Sequence, residues 1–208
     1  MKKGDFINMG AVTLAFAVLV FYRLGGLTVP LTSYTATAEN PTIILDFGET
    51  VALDYFVAYF GPQNFHYDLY GREQDDGEWR LIDEGVLSNE VYKWKGLLRS
   101  PQQLRYLRLE LVEEAGTLHE TLFVDHQGQI IVPVNAAEYP SLFDEQGLFD
   151  PYLSKTYYRE TVFDETFYAR TAYEYIHGLP AYERGHPPLG KSLISVGITL
   201  FGMNPFGW

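Results

Sequence analysis

Leu104-Arg105-Tyr106-Leu107-Arg108-Leu109-Glu110-Leu111-Val112 is the run whose reading decides the fold of the middle of the chain. Successive side chains of a strand point to opposite faces, so Leu107, Leu109 and Leu111 line one face while Tyr106, Arg108 and Glu110 line the other. A helix would scatter those leucines around its circumference. The run therefore predicts a strand with one face in a core and one in water.

Working outward, seven further runs are rich in β-branched and aromatic residues: 42–47, 51–60, 65–71, 79–82, 92–97, 118–124 and 129–134. Turn signals separate them at Gly48, Gly61-Pro62, Asp75-Asp76-Gly77, Ser100-Pro101, Gly116 and Gly128. About eight such strands with no intervening helix predict two packed antiparallel sheets, a β-sandwich of jelly-roll kind over residues 31–135. Residues 136–162 read as a connector whose aromatics Tyr139, Phe143, Phe149 and Tyr152 anchor it to a neighbour.

Composition bounds what such a chain can do. With 47% hydrophobic and 16% aromatic residues in 208, it has ample apolar surface to bury and is not a disordered protein. A formal net charge of −12 argues against nucleic acid as a partner, because phosphates are repelled unless a basic patch gathers locally. The absence of cysteine removes disulfides, thiolate nucleophiles and cysteine-based zinc sites. His119, His126 and His177 have no metal-ligand spacing, and His119 and Glu120 point to opposite faces of a strand, so no metal is expected. Phosphate-cradling glycine loops and nucleophile elbows are also missing, which argues against nucleotide-dependent chemistry.

At the amino terminus Lys2 and Lys3 precede an apolar run from Phe6 to Tyr22. That is about 17 residues, the short end of what crosses a bilayer. We read residues 1–30 as a retained transmembrane helix and its flanks, with a cytoplasmic amino terminus and everything beyond Arg23 extracytoplasmic. The alternatives are a cleaved signal peptide and a buried soluble helix. Ala36-Thr37-Ala38 resembles a cleavage site, but Arg23 and Pro30 intervene where a short polar region belongs.

The last segment, residues 163–208, carries the chemistry. Phe163-Asp164-Glu165 precedes an amphipathic helix predicted over Thr166 to Ile176, with Tyr168, Ala172, Tyr175 and Ile176 on its apolar face and Gly178 as its stop. His186-Pro187-Pro188-Leu189-Gly190-Lys191 then opens a second, strongly apolar helix to Phe201, closed by Gly202. Such a helix suits a membrane interface. The fold class is thus a membrane-anchored α+β protein: one transmembrane helix, a β-sandwich, then juxtamembrane helices.

These motifs, with the closing Asn204-Pro205-Phe206-Gly207-Trp208, resemble the first outer loop of the protein O-mannosyltransferases, GT-C glycosyltransferases that use polyprenyl-phosphate sugars. The resemblance covers roughly the last 50 residues and, more loosely, the first 30. It implies that Asp164 takes the proton of an acceptor hydroxyl while that oxygen attacks the anomeric carbon and the lipid phosphate leaves. It also implies a polyprenyl-phosphate-linked sugar as donor with no cofactor, a protein or glycan acceptor, and the lipid bilayer as surroundings. Separately, Ile44-Leu45-Asp46-Phe47-Gly48, Phe65 to Tyr70, Gly77-Glu78-Trp79 and Leu104 to Leu109 resemble discoidin or galactose-binding-like modules. That likeness implies glycan contacts near Ser33 to Asn40 and Gly85 to Glu90; a spacer or docking role is the alternative.

Each candidate has a plainer role beside the chemical one. Asp164 is equally suited to cap a helix, and Glu165 to favour a helix dipole in the first turn as well as to support Asp164 or orient the acceptor. His186 holds the leaving phosphate or Asp164, or is structural. Lys191 offers a point charge to phosphate or snorkels at a membrane surface. Arg170 is a further phosphate candidate.

Two departures from the glycosyltransferase pattern follow. A β-module separates the Tyr22-Arg23-Leu24-Gly25 segment from Phe163, and the chain reaches Trp208 where a second span would begin. The expectation is therefore a piece of a longer or split enzyme, inactive by itself and completed by the remaining transmembrane part. The alternative is a membrane-tethered carbohydrate-binding or docking module with no chemistry.

Overall fold

The computed structural model describes residues 3–37, 39–62, 65–87, 92–112, 117–150 and 156–208. Helix α1, Lys3–Phe21, opens it. Its Gly4–Phe21 stretch is long and apolar enough to cross a membrane, and none of it is buried against the protein. Lys2 and the side chain of Lys3, which carry the expected orientation signal, lie outside the described residues, as do Ala38, Gly116 and Tyr152.

Eight antiparallel strands follow: β1 (Tyr34–Thr35), β2 (Thr42–Phe60), β3 (Phe65–Arg72), β4 (Arg80–Leu87), β5 (Lys93–Gly96), β6 (Gln102–Val112), β7 (Thr117–Asp125) and β8 (Ile130–Ile131). The sequence pattern splits β2 at Gly48. In the structure the strand runs through, with Gly48 at φ +81° and a register shift between Asp46 and Val51. A bulge of this kind lets one strand serve two layers. The first half of β2, up to Leu53, pairs with β6, which passes on to β3 and β4; its second half lies between β7 and β5. The result is an antiparallel sandwich folded about β2. β1, a two-residue edge paired to β7, escapes the sequence pattern because two residues show no alternation. The runs 92–97 and 129–134 shrink to β5 and β8, while 79–82 extends to Leu87.

The alternation read in β6 holds. Leu104, Leu107, Leu109 and Leu111 are buried with Leu45, Leu53, Phe56, Leu69 and Phe123 between the layers. Each such side chain contributes about 1.5–3 kcal/mol on removal from water. On the outer face, Arg72 lies between Trp79 and Tyr106 at 4.5 Å from each ring, and Arg108 lies 4.3 Å over Tyr70 and 4.6 Å over Trp79. The stacked guanidinium groups cover ring faces that would otherwise meet water.

The second half of β2 buries its other face too. Val57, Tyr59, Tyr92 and Trp94 form a second cluster against which Phe149, Tyr173, Met203 and Trp208 pack. This cluster ties the sandwich to the carboxy-terminal helices. Expected anchors in the connector do anchor: Tyr139 and Phe143 pack on the main core, and Phe149 meets Trp94 edge-on at 5.1 Å.

Helices α2 (Glu165–Ile176) and α3 (Pro188–Phe201) fall where the sequence puts them, each followed by a glycine at positive φ, Gly178 and Gly202. The buried face of α2 differs from the expected one. Ala172 is buried as expected, but Tyr175 and Ile176 are exposed, and Thr166, Ala169, Thr171 and Glu174 are buried in their place. A helix clamped between a sandwich and a second helix needs small residues where the backbones approach, and Ser195 Oγ of α3 donates to Ala172 O at 3.2 Å. In α3, Lys191 and Ile198 face inward while Leu189, Leu193, Val196 and Leu200 form an exposed apolar row.

The two ends of the chain meet. Gly26 N donates to Tyr158 O at 2.7 Å, Phe206 N donates to Gly26 O at 3.2 Å, and the rings of Phe21 and Phe206 lie 6.1 Å apart. A Cβ on Gly25 would sit 2.4 Å from the carbonyl carbon of Pro205, so only glycine admits this approach. The sandwich therefore leaves and re-enters the helical part at one place.

Candidate functional site

The turn into α2 is built from a strained residue and a carboxylate that braces it. Phe163, a bulky residue, has φ +50°, and its side chain is 91% exposed. This left-handed conformation costs about 1–2 kcal/mol for a non-glycine residue, and such strain persists where the surroundings fix it. Glu165 supplies the fixing: its Oε2 accepts the Val162 N–H at 2.9 Å while its own N–H donates to Val162 O at 3.1 Å. The reciprocal pair closes the turn ahead of α2; it is not a capping box, because Val162 has no side-chain acceptor.

Asp164 stands at the N-cap position, but with φ −66° and ψ −17° its side chain makes no capping bond. Its carboxylate is exposed and forms no hydrogen bond among the described residues. One turn on, Tyr168 shares its helix face and lies 5.4 Å, ring to ring, from His186. The start of α2 and the loop that carries His186 thus meet through Tyr168, at one corner of the molecule.

A residue that the sequence reading passed over organises this corner. Glu183 Oε1 accepts the backbone N–H groups of Gly185 and His186 and faces His186 Nδ1 at 3.2 Å, and Glu183 Oε2 pairs with the Lys191 ammonium. Lys191 Nζ also donates to the carbonyls of Glu183 at 2.8 Å and His186 at 3.1 Å. The Lys191 ammonium, then the backbone and ring donors around it, hold the Glu183 carboxyl at about 2 against a smaller desolvation. The ring of His186 remains about half exposed.

The free charge expected at Lys191 is corrected by this geometry. Its side chain is 1% exposed and its three donors are all taken, because a buried ammonium must be fully partnered. It neither snorkels nor presents a point charge. Arg170 is committed as well: Nε donates to Glu174 Oε1 at 3.0 Å and the guanidinium lies 3.8 Å over the Tyr182 ring. Glu174 Oε2 in turn accepts the Tyr182 N–H at 2.7 Å. Both cations shape the 177–187 loop.

On the other side of α2 a cleft of about 880 Å³ separates the helix from the end of the sandwich. Arg170, Tyr173 and Glu174 form one wall; Ser33, Thr35, Thr117 and His119 form the other, with Tyr92 between them. Part of the Ser33 to Asn40 region expected to meet glycans therefore faces this cleft. Of the second expected region, Gly85 belongs to β4, and residues 88–90 lie outside the described residues. Burial lowers the His119 pKa, opposed by the nearby carbonyls of Thr32 and Leu31 and by Glu145.

Behind His119, Glu120 turns the opposite way, as the strand reading requires. Its carboxyl is buried, Oε2 accepts the Glu145 N–H at 2.8 Å, and burial raises its pKa to about 7. Oxygens of Glu120, Asp144 and Glu145 lie within 4.8 Å of one another, the one group among the described residues that could hold a metal ion. Asp144 and Glu145 also take hydrogen bonds from Thr32 and Leu31.

Glu174 was legible as an acid at helical spacing, four residues after Arg170, whereas Glu183 lies eight residues before Lys191 with a loop between them. Tyr92 carried no signal, since its backbone strain and burial are tertiary facts.

No protein-family model matches the chain. Over 53 residues it is 45% identical to the polyprenol-phosphate-mannose–protein mannosyltransferase of Mycobacterium tuberculosis, equally in the CDC 1551 / Oshkosh and ATCC 25618 / H37Rv strains; the match covers 23% of this chain and 10% of the relative. Part of the chain is thus similar to a mannosyltransferase. The chain spans about a tenth of the length of these curated relatives. Among solved structures it is similar to the CBM32 of AlyQ in complex with 4,5-unsaturated mannuronic acid, at 14% identity and TM-score 0.39 over 45% of this chain and 77% of that one. It is also similar to the CBM32-6 module of GH89 produced by Clostridium perfringens, at 17% identity and TM-score 0.37 over 53% and 82% of the two chains. The sandwich fold rests on the strand pairing given above, not on these likenesses.

Proposed function

We propose that this chain carries the acceptor-activating outer loop of a membrane glycosyltransferase that moves a mannose-like sugar from a polyprenyl phosphate to a hydroxyl of a protein or glycan. The observation that carries the reading is the Asp164 carboxylate, left exposed and without a partner among the described residues at a strained turn, one helical turn before the Tyr168 ring that meets His186. A carboxylate that served only as a cap would bond to the helix start, and that of Asp164 does not. The partial likeness to a mannosyltransferase supports the same direction.

In this mechanism the acceptor O–H gives its proton to Asp164 as its oxygen forms a bond to the anomeric carbon. The bond from that carbon to the phosphate oxygen breaks, and the electron pair leaves with the lipid phosphate. Proton removal in concert with attack is worth about 10²- to 10⁴-fold. Glu165 acts as a positioning residue that holds the Val162–Phe163 turn. His186, held at Nδ1 by Glu183, offers its exposed edge to the leaving phosphate. Lys191 and Arg170 act through the loop they fix.

The apolar helix α1 and the exposed row on α3 suit an outer-leaflet position for this corner, with α1 spanning and α3 lying in the interface. Further membrane-spanning segments of the enzyme supply the donor groove in this reading. The test compares Asp164→Asn with Glu165→Gln in membranes that contain the whole enzyme. Loss of mannosyl transfer in the first, at normal expression, and a milder loss in the second support the reading. Full transfer by Asp164→Asn favours a tethered module without chemistry.

A further inference from the structure

We infer that Glu120, Asp144 and Glu145 form a binding site for a calcium ion, which clamps the segment entering the sandwich to the connector leaving it. Oxygens of the three carboxylates lie within 4.8 Å of one another. Oxygens bound at about 2.3–2.6 Å to one calcium ion have spacings of this order. The group that decides is Glu120. It is 0% exposed, and its Oε1 has no hydrogen-bond partner. No lysine or arginine pairs with any of the three carboxylates among the described residues. A carboxylate buried without a counter-charge is costly, so a proton or a cation has to meet it. A proton would answer Glu120 alone and leave two carboxylates beside each other, whereas one divalent cation answers all three. No spacing rule shows this site, because Glu120 and the Asp144-Glu145 pair meet only in the fold.

The hydrogen bonds around the cluster reserve one oxygen of each carboxylate for the ion. Glu120 Oε2 accepts the Glu145 N–H at 2.8 Å, and Asp144 Oδ1 accepts Thr32 Oγ1 at 2.8 Å. Glu145 Oε2 accepts the Leu31 N–H at 2.7 Å, the Thr32 N–H at 3.0 Å and Thr32 Oγ1 at 2.9 Å. Glu120 Oε1, Asp144 Oδ2 and Glu145 Oε1 make no hydrogen bond among the described residues. The bonded oxygens thus fix the orientation of the free ones, as supporting contacts do in metal sites. An all-oxygen, anionic donor set selects a hard cation, and calcium tolerates irregular geometry that magnesium does not. A dehydrated calcium ion also sits closer to an oxygen than a water does at about 2.7–2.8 Å, so a site shaped for it leaves Glu120 Oε1 no surface open to water. The exposed side chain of Asp144 gives the ion its way in. Leu31 and Thr32 lie between α1 and β1, Glu120 lies in β7, and Asp144 and Glu145 lie in the connector before α2, so the ion joins three segments. None of these residues belongs to the Asp164 corner. Failure here would therefore leave the proposed transfer standing, and the reverse.

The experiment titrates calcium chloride, and magnesium chloride in parallel, into the chelator-treated full chain in phosphatidylcholine nanodiscs by calorimetry, and follows hydrogen exchange at the amides of Leu31, Thr32 and Glu145. Calcium is expected to bind with a Kd of about 0.1–1 mM, the range of extracellular modules, and more tightly than magnesium. At ten times that concentration the three amides should exchange about tenfold more slowly, because their opening requires release of the ion. Glu120→Gln keeps the acceptor for the Glu145 N–H and stays folded without calcium, yet should weaken calcium at least about tenfold by removing a buried anionic ligand. Asp144→Asn, at the exposed side, should do the same and serves if the Glu120 variant folds poorly. Calcium affinity unchanged by both variants, calcium that binds without slowing these amides, a preference for magnesium, or no binding below about 10 mM overturns the assignment.

Discussion

Gly25→Ala tests how the two ends of the chain are joined. The new methyl would meet the carbonyl carbon of Pro205 at 2.4 Å, its oxygen at 2.5 Å and the nitrogen of Phe206 at 2.7 Å. All three are backbone atoms, so no side chain can swing away. Relief requires the turn at 23–26 and the segment 204–206 to part by roughly 1 Å, since real Cβ contacts start above about 3.0 Å. Such overpacking typically costs about 1–3 kcal/mol. Parting also weakens the Phe206 N–H bond to Gly26 O, worth about 1 kcal/mol, and the Phe21–Phe206 ring contact. The expected loss is about 2–4 kcal/mol, or roughly 5–15 °C in Tm for a chain of this size. Gly96→Ala is the matched control, because nothing lies within 4 Å of its added carbon; it should change stability by less than about 1 kcal/mol. Both are read by thermal unfolding of the purified chain in the same detergent. A Gly25→Ala protein as stable as the control would refute the close approach of the termini.

Glu120→Gln should remove a pH dependence. Burial raises the Glu120 pKa from 4.5 to about 7, so the folded state holds this proton more tightly than the unfolded state. The associated stability is fully present below about pH 4.5 and is lost as pH rises through about 7; because solvent reaches the cluster at the exposed Asp144, we expect only about 1–2 kcal/mol of it. The glutamine still accepts the Glu145 N–H, so the variant should be the more stable protein at pH 8 and flatter between pH 5 and 8 in denaturant titrations; an unchanged slope would contradict the account. Phe163→Gly should raise stability by about 0.5–1 kcal/mol through relief of the positive φ, net of glycine's greater freedom when unfolded. A fall in unfolding temperature would show that the exposed ring, not the strain, governs that turn.

Much of the fold was readable because alternation and turn residues report local geometry. The leucines of β6 name their own face, and Gly178 and Gly202 end the helices where the pattern stops. What stayed hidden depends on contacts far apart in the chain. No local rule shows that β2 continues through Gly48, that α2 buries its threonines rather than Tyr175, or that Lys191 folds inward onto Glu183. A lysine in a His-Pro-Pro-Leu-Gly-Lys run looks like a free cation until the loop before it is seen to supply three acceptors. Likewise Asp164 and Glu165 were a pair in sequence, and only the backbone turn at Phe163 separates them into an open carboxylate and one that braces the turn.

The account stands on the open carboxylate at position 164 accepting a proton during glycosyl transfer. The most direct measurement is the rate at which membranes holding the whole enzyme with Asp164→Asn pass radiolabelled mannose from polyprenyl phosphate to acceptor, beside wild type at equal expression and saturating donor. A fall of about 10²- to 10⁴-fold with little change in donor KM is predicted. A rate within threefold of wild type would contradict it.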